Sequence, residues 1–358
     1  MKYFEKIDGL RFIAIILVLV EHFAWNIGPK FSAGYYGVDL FFVISGFLIT
    51  SILFKTKGNS FGKSYYNFIG RRALRIFPIY YLTILILWII NLDVVRDKLF
   101  WLVSYTYNYA WVLFKIPDTP INHFWSLCVE EQYYFFWPFI VLSLRQKPKI
   151  LLFVIILIIV IGFLQTILNI FPFMSEYNYS NLLTRMSSLG LGSLGAIYSI
   201  SFKLPEKIFK SKLIEILMLL ALFCSLIFSF MLKPLFLAVI SLYLVLKAAK
   251  FNFSINLINL FLNNKYIVYV GTISYGIYIF HLPLAHYFSK YIFDPIWLSI
   301  DFTKLGFFEK IKYNRTLIQL PLYTILSIFV ASISFKFVEK PILKLKDKYF
   351  NNNDNQNR

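Results

Sequence analysis

Long apolar runs recur along almost the whole chain, and they constrain its fold more than any single motif does. Ten read as candidate crossings: 10–28, 37–54, 77–92, 125–144, 149–170, 181–201, 212–231, 234–248, 266–288 and 317–338. A helix needs about 20 mostly apolar residues to cross a hydrocarbon core roughly 30 Å thick. Backbone groups cannot go unpaired in lipid, so the crossing elements are expected to be helices. The period-two pattern of a membrane barrel is absent. With 59% hydrophobic and 15% charged residues and a mean hydropathy of +0.66, the chain departs from soluble domains, in which about a quarter of residues are charged. Disorder, a nucleic-acid-binding domain and a disulfide-framed secreted domain are poor readings. Cys128 and Cys224 lie inside apolar runs and read as small hydrophobes.

The net charge of +18 resembles that of a nucleic-acid binder until the charges are located. They form short clusters between the apolar runs, as the positive-inside rule expects. With ten spans and an inside N-terminus, 25 of the 36 basic residues fall on the inner side. Segment 98–114 holds Trp101, Tyr105, Tyr107, Tyr109 and Trp111 but few aliphatic residues. That composition suits an interfacial or re-entrant piece, and counting it as an eleventh span would destroy the charge asymmetry. The expected architecture is an all-α polytopic membrane protein of ten transmembrane helices with both termini cytoplasmic. Residues 1–350 would form one integral-membrane domain and residues 351–358, rich in Asn, a disordered cytoplasmic tail. The basic N-terminus is not expected to be a cleaved signal, because Glu21 and His22 follow its short apolar core.

Charged groups inside a bilayer cost about 2.5 kcal/mol or more on insertion scales, and those that remain need a reason. His22 lies six residues from the outer end of span 1, about 9 Å deep at 1.5 Å per residue. Glu130 and Glu131 lie at similar depth in span 4, and His281 seven residues from the outer end of span 9. A neutral imidazole beside a carboxylate is an acid–base pair. The competing reading is that these groups only bind one another to hold helices together.

At the opposite face, Arg71, Arg72 and Arg75 precede Phe77-Pro78. Arg72 and Arg75 share a helix face, and their forked donors match phosphate oxygens. Ordinary positive-inside anchoring is the alternative. Arg11 would join this anion site or pair with a buried carboxylate. Ser45-Gly46 is expected to let helices pack closely, and Asp39 to cap the start of span 2. There is no HExxH or CxxC metal spacing, no GxSxG, no P-loop and no dinucleotide fingerprint.

Six segments then occur in order: Asp8-Gly9-Leu10-Arg11 with His22 eleven residues on; residues 37–49 ending Ile44-Ser45-Gly46-Phe47-Leu48-Ile49; Arg72-Ala73-Leu74-Arg75-Ile76-Phe77-Pro78; His123-Phe124-Trp125-Ser126 through Glu130-Glu131-Gln132-Tyr133-Tyr134; Gly271 through Ser274-Tyr275, Tyr278, His281 and Pro283; and Val338-Glu339-Lys340-Pro341. Together they resemble the membrane acyltransferase 3 family, the integral-membrane O-acyltransferases of bacterial surface sugars, in its stand-alone form without a C-terminal hydrolase-like domain. Spans 5 to 8 match only in hydropathy.

The resemblance implies transfer of an acyl group, most often acetyl, from cytoplasmic acyl-CoA to a hydroxyl of a cell-surface glycan or its lipid-linked precursor, by a multi-pass protein of the bacterial inner membrane. No permanently bound cofactor, metal or nucleic acid is implied; the oligomeric state stays open. His22 falls on the family's essential histidine, Arg72 and Arg75 on its arginine pair, and Arg11 and Glu130 on motif positions. Cys128 falls on a variable position and is no nucleophile. In the mechanism that fits, Arg72 and Arg75 hold the CoA phosphates at the inner surface and the pantetheine arm threads a channel between spans 1 to 4. His22 acts as base with Glu130 or Glu131 orienting it, and His123, Tyr275, Tyr278 or His281 contacts the oxyanion or the acceptor. Direct transfer and an acyl-histidine route both remain open. A proton-coupled transporter using the same His and Glu residues is the rival from another class.

Overall fold

The computed structural model describes residues 4–24, 33–56, 60–170, 179–227, 233–301 and 314–350. These residues are mostly helical, joined by short turns, with no strand among them. In chain order the helices are α1 (Glu5–Phe23), α2 (Ala33–Lys55), α3 (Phe61–Ile89), α4 (Asp93–Asp97), α5 (Leu99–Val103), α6 (Tyr107–Leu113), α7 (Phe124–Leu144), α8 (Pro148–Leu168), α9 (Leu182–Ser201), α10 (Glu206–Lys210), α11 (Lys212–Ile227), α12 (Lys233–Lys250), α13 (Asn256–Leu262), α14 (Lys265–Thr272), α15 (Ser274–Phe288), α16 (Asp294–Ser299), α17 (Thr316–Ser334) and α18 (Lys340–Tyr349). A π turn at Ser289–Phe293 follows α15, and another at Phe335–Glu339 joins α17 to α18. The tail expected at 351–358 lies outside the described residues.

Where described, nine of the ten apolar runs lie mainly on one helix each and 266–288 on two; residues 25–28 and 228–231, the ends of two runs, lie outside the described residues. Among the described residues four helices are long and apolar enough to cross a membrane: α2, α3, α8 and the continuous α17–α18 rod; a fifth is counted if the bent pair α14 and α15 is one span. That pair, expected as one straight crossing at 266–288, turns through 68° at Ile273. Segment 98–114 breaks into short helices, with Tyr105 in the left-handed region at φ 54°.

Two expected boundaries move. The first span, placed at 10–28, is a helix from Glu5 to Phe23. The third, placed at 77–92, begins at Phe61, where the Ser60 side chain accepts from Lys63 N at 3.4 Å. Hydropathy misses both starts because these first turns are polar, whereas backbone hydrogen bonding and an N-cap do not depend on hydropathy. Asp39, expected as a cap, sits inside α2, is buried, and accepts from the Ser188 hydroxyl of α9.

Burial places α2 at the centre. In its most apolar window 72% of residues are buried, against 33% for α3 and α8. The latter two turn Leu85, Ile86, Ile89, Phe153, Leu157 and Val160 outward, an apolar surface suited to lipid. Helix α2 packs on α1 and α9. Gly46 and Gly192 make the second contact close: an added Cβ would stand 1.9 Å from the Leu189 carbonyl oxygen at Gly46, and 2.1 Å from that of Val43 at Gly192. Small residues at crossing points are how helices associate in lipid. Ser45 and Thr50 of α2 then meet polar groups of α7.

A polar knot ties α11 to α12. Lys247 Nζ lies 2.6 Å from Glu215 Oε2, both side chains being 0% exposed. Lys247 also donates to the Phe209 carbonyl at 2.5 Å, and Glu215 accepts from the backbone N–H of Ser254 and Ile255 at 2.7 and 3.1 Å. Removing one partner of a buried, fully bonded pair strands the other charge, at about 3–5 kcal/mol. Lys247→Met is therefore expected to lower the thermal midpoint of detergent-solubilised protein clearly. Lys210→Ala, which breaks the exposed Lys210–Glu206 pair, should leave it unchanged. Equal shifts for the two variants would refute the assignment.

Candidate active site

Three arginines from two helices line one cavity. Arg11 of α1 and Arg72 and Arg75 of α3 share it with Ser45, Phe41 and Phe42 of α2, Ser126, Glu130 and Tyr134 of α7, and Ser274, Tyr275 and Tyr278 of α15. About 730 Å³ inside it is free of atoms, part of that open to the outside. Arg11 Nη1 pairs with Asp8 Oδ1 at 2.7 Å one turn away. The Arg72 guanidinium lies over the rings of Phe68 and Tyr134, 5.8 and 5.4 Å from their centroids. Neither Arg72 nor Arg75 makes a hydrogen bond or ion pair with any described residue. Arg71, the third member of the sequence cluster, is not among the lining residues.

Helix geometry sorts the two glutamates. Ser126, Glu130 and Tyr134 recur at four-residue spacing and so share one face of α7. Glu130 Oε1 accepts from the Ser45 hydroxyl at 2.6 Å, and the Tyr134 hydroxyl donates to Ser45 Oγ at 3.1 Å. Glu131, one residue on, faces away from the cavity, and its buried Oε1 has no hydrogen-bond partner. Ser45 therefore belongs to the polar wall, not to the α2–α9 packing seam expected of it. Its neighbour Gly46 makes that seam.

The histidines meet elsewhere. His22 lies in the last turn of α1, not several residues below its end, because the helix finishes at Phe23. His22 Nδ1 is 2.9 Å from His281 Nε2, and His281 Nδ1 is 2.6 Å from the Tyr278 carbonyl oxygen one turn back on α15. His123, at the N-terminus of α7, packs its ring 4.6 Å from that of His281 and places Nε2 3.3 Å from the Ile279 carbonyl. Pro283 explains why that carbonyl is open: a helical Ile279 carbonyl would accept from the N–H of residue 283, and proline has none. His281 is 0% exposed and His123 3% exposed.

Two expectations about this arrangement are corrected. Among the described residues no carboxylate bonds to His22: its partner is His281, while Glu130 is held by Ser45 across the cavity. Nor is the conduit continuous. The lining stops at Ser126 and Tyr278, whose hydroxyls lie 2.6 Å apart and both reach the His123 carbonyl, at 3.0 and 3.2 Å. Behind them stand His123 and His281, with ring centroids 5.3 and 5.6 Å from that of Tyr278. Arg72 is eleven residues into α3, about 16 Å along the helix from its start. Tyr275 is already engaged, donating to the Ile76 carbonyl at 3.1 Å.

Arg11 and His22 are likewise eleven residues apart, about three full turns, so one face of α1 carries both, about 16 Å apart along its axis. Sequence reasoning gave no role to Ser126, Tyr134 or Glu339. Four-residue spacing on α7 was the available signal for the first two. Glu339 is buried on the π turn, in the electrostatic neighbourhood of Arg75, with Oε1 beside Gly276; that contact is tertiary and leaves no local trace. Among the described residues no cluster of ligands suits a metal ion.

An acyltransferase domain model, that of the acyltransferase 3 family, matches residues 4–336. Curated relatives include the peptidoglycan O-acetyltransferase OatA of Listeria monocytogenes, 27% identical over 96% of this chain and 56% of its own length. YrhL of Bacillus subtilis, provisionally named a peptidoglycan O-acetyltransferase, is 27% identical over 95% of this chain and 55% of its own. A Staphylococcus aureus protein provisionally named an O-acetyltransferase is also 27% identical, over 96% and 58%. The chain thus spans a little over half the length of these relatives. No solved structure gives a significant match. With the model covering nearly all of it, the chain belongs to the acyltransferase 3 family.

Proposed function

We propose that the protein is a membrane O-acetyltransferase that moves an acetyl group from cytoplasmic acetyl-CoA to a hydroxyl of a bacterial cell-surface glycan or its lipid-linked precursor. The observation that carries the donor assignment is the pair Arg72 and Arg75, lining a cavity with no anion among the described residues bonded to them. Guanidinium forks bind phosphate in bidentate fashion, and CoA carries its phosphates far from its thioester. Arg11 completes the phosphate site, and Glu130, held by Ser45, offsets part of its charge. The names of the relatives supply the acetyl group and make peptidoglycan the first acceptor to test. The match gives no support to a proton-coupled carrier. The reading includes ten spans, both termini in the cytoplasm and residence in the bacterial cytoplasmic membrane.

His22 serves as general base. Its imidazole takes the proton of the acceptor hydroxyl while that oxygen attacks the thioester carbonyl. The C–O bond forms, the C–S bond breaks, and the departing thiolate takes the proton back from the imidazolium. Tyr278 has to swing away from Ser126 for the thioester to arrive. Once it has moved, either hydroxyl is placed to donate to the oxyanion. His123 and His281 back His22, and Tyr275 holds the cavity wall.

His22→Ala is expected to lower acetyl transfer in proteoliposomes at least about 100-fold, the scale of a lost general base, with expression and thermal midpoint unchanged. Full acetylation by this variant would end the base assignment. Arg72→Ala should act first on the donor, raising KM for acetyl-CoA about 10-fold, as expected for one lost charge-assisted contact. An unchanged KM would remove the phosphate site from this cavity. Deleting the protein and comparing ester-linked acetate on each surface glycan by NMR identifies the acceptor.

A further inference from the structure

We infer that His281 is the positioning residue that fixes His22 as the Nδ1–H tautomer and leaves His22 Nε2 bare, in the place where a carboxylate would ordinarily stand. This rests on the proposed role of His22 as base and adds what makes it one. The inference begins at a group whose role admits no choice. The Tyr278 carbonyl oxygen can only accept, so His281 Nδ1, 2.6 Å away, carries a proton. A neutral imidazole carries one N–H, which leaves His281 Nε2 as a lone pair. His22 Nδ1 lies 2.9 Å from that lone pair, so the proton between them belongs to His22 Nδ1. His22 then has its own lone pair on Nε2, the nitrogen that makes no hydrogen bond with any described residue.

The competing assignment protonates His281 on both nitrogens, so that His22 would accept at Nδ1 and present an N–H at Nε2, which cannot take a proton. That requires a cation at 0% exposure surrounded by Phe23, Tyr278, His123 and His22. Among the described residues nothing with a negative charge touches it, and a buried charge without a counter-charge is too costly to hold. Neutral His281 is the arrangement the site supports.

The ring is also held in place. Tyr278 supplies its hydrogen bond from one turn away on the same helix, and His123 packs against it at 63°. His123 is anchored in turn by donating Nε2–H to the Ile279 carbonyl that Pro283 leaves open. Two consecutive carbonyls of α15, those of Tyr278 and Ile279, thus set the tautomers of two histidines, and through His281 that of a third on another helix. A serine-hydrolase triad uses a buried carboxylate for this task, and it also stabilises the imidazolium. Here only the tautomer is fixed. The base is prepared without a second full charge in the membrane.

The test is ring ¹⁵N NMR of histidine-labelled protein in nanodiscs, where four histidines are present. Single variants, His286→Gln among them, assign the signals. His22 should show protonated Nδ1 and bare Nε2, and His281 protonated Nδ1. His281→Phe should leave His22 with a mixed tautomer and lower kcat about 10- to 100-fold, the usual scale for losing such a partner, with KM for acetyl-CoA unchanged. His281→Gln, whose amide oxygen accepts from His22 Nδ1–H, should restore that tautomer and part of kcat. A His22 signal with Nε2 protonated in the unmodified protein overturns the inference, as does a His281→Phe variant that keeps both tautomer and kcat. If the phenylalanine variant does not fold, the unmodified spectrum decides alone. Full transfer by His22→Ala would instead sink the base reading while leaving the tautomer assignment standing, so the two failures are separable.

Discussion

Two guanidinium groups held eleven and fourteen residues inside a helix, with no acceptor among the described residues, set the terms for the structure around them. A charge at membrane depth is tolerated only when it faces protein or a polar cavity. Arg72 and Arg75 meet that condition by facing a cavity whose walls carry hydroxyls and a carboxylate. Glu130 lines that cavity but bonds to Ser45, and Asp8 is taken by Arg11. The carboxylates thus lower the cost of the arginines without quenching their donors. A purely structural role would favour direct Arg–carboxylate forks, which are the stronger contact. Their absence at Arg72 and Arg75 separates this cavity from the Lys247–Glu215 knot, where charge, counter-charge and backbone donors all find partners.

That wall exists because of a packing event on the far side of α2. Gly46 and Gly192 bring α2 and α9 together until a methyl group would not fit between them. Ser45, the next residue along, is then turned about 100° round the helix and meets Glu130 of α7 instead. One Ser-Gly pair thus does two jobs. The glycine sets the distance between helices, and the serine projects into the site that this distance creates. Lipid gives no hydrophobic drive for helix association, so such close contacts carry much of the organisation that an apolar core provides in water.

How much of this was legible depended on the range of each interaction. The apolar runs are local, and where described all but 266–288, which spans a bent pair, lie mainly on one helix each. The polar starts of α1 and α3 were not visible, because hydropathy stops where capping and backbone hydrogen bonds continue. Arg72 and Arg75 could be paired from their spacing, and the eleven residues from Arg11 to His22 already encode a shared face. The partner of His22 could not be read in this way. His22 and His281 are 259 positions apart, and two glutamates at similar apparent depth offered the more familiar chemistry. What placed them apart was four-residue spacing on α7, which assigns Glu130 to the arginine cavity, and the early end of α1, which lifts His22 to the level of His123. Pro283 was visible beside His281, but its effect, an open carbonyl at Ile279, matters only once α7 delivers His123 to it.

The two halves of the site are divided by a partition thin enough to have a function. Ser126 and Tyr278 stand hydroxyl to hydroxyl between the arginine cavity and the histidines. The Tyr278 backbone carbonyl fixes His281, while its side chain closes the cavity. Rotating the side chain breaks bonds to Ser126 and the His123 carbonyl but leaves the backbone bond to His281 untouched. Opening the route would therefore not disturb the tautomer that prepares His22. A closed partition also keeps water and protons of the cavity away from a bare imidazole until an acyl chain pushes through. In a protein whose donor and acceptor are proposed to arrive from opposite sides of a membrane, a barrier that opens without unsettling the base is what the chemistry requires, and a single tyrosine supplies both parts of it.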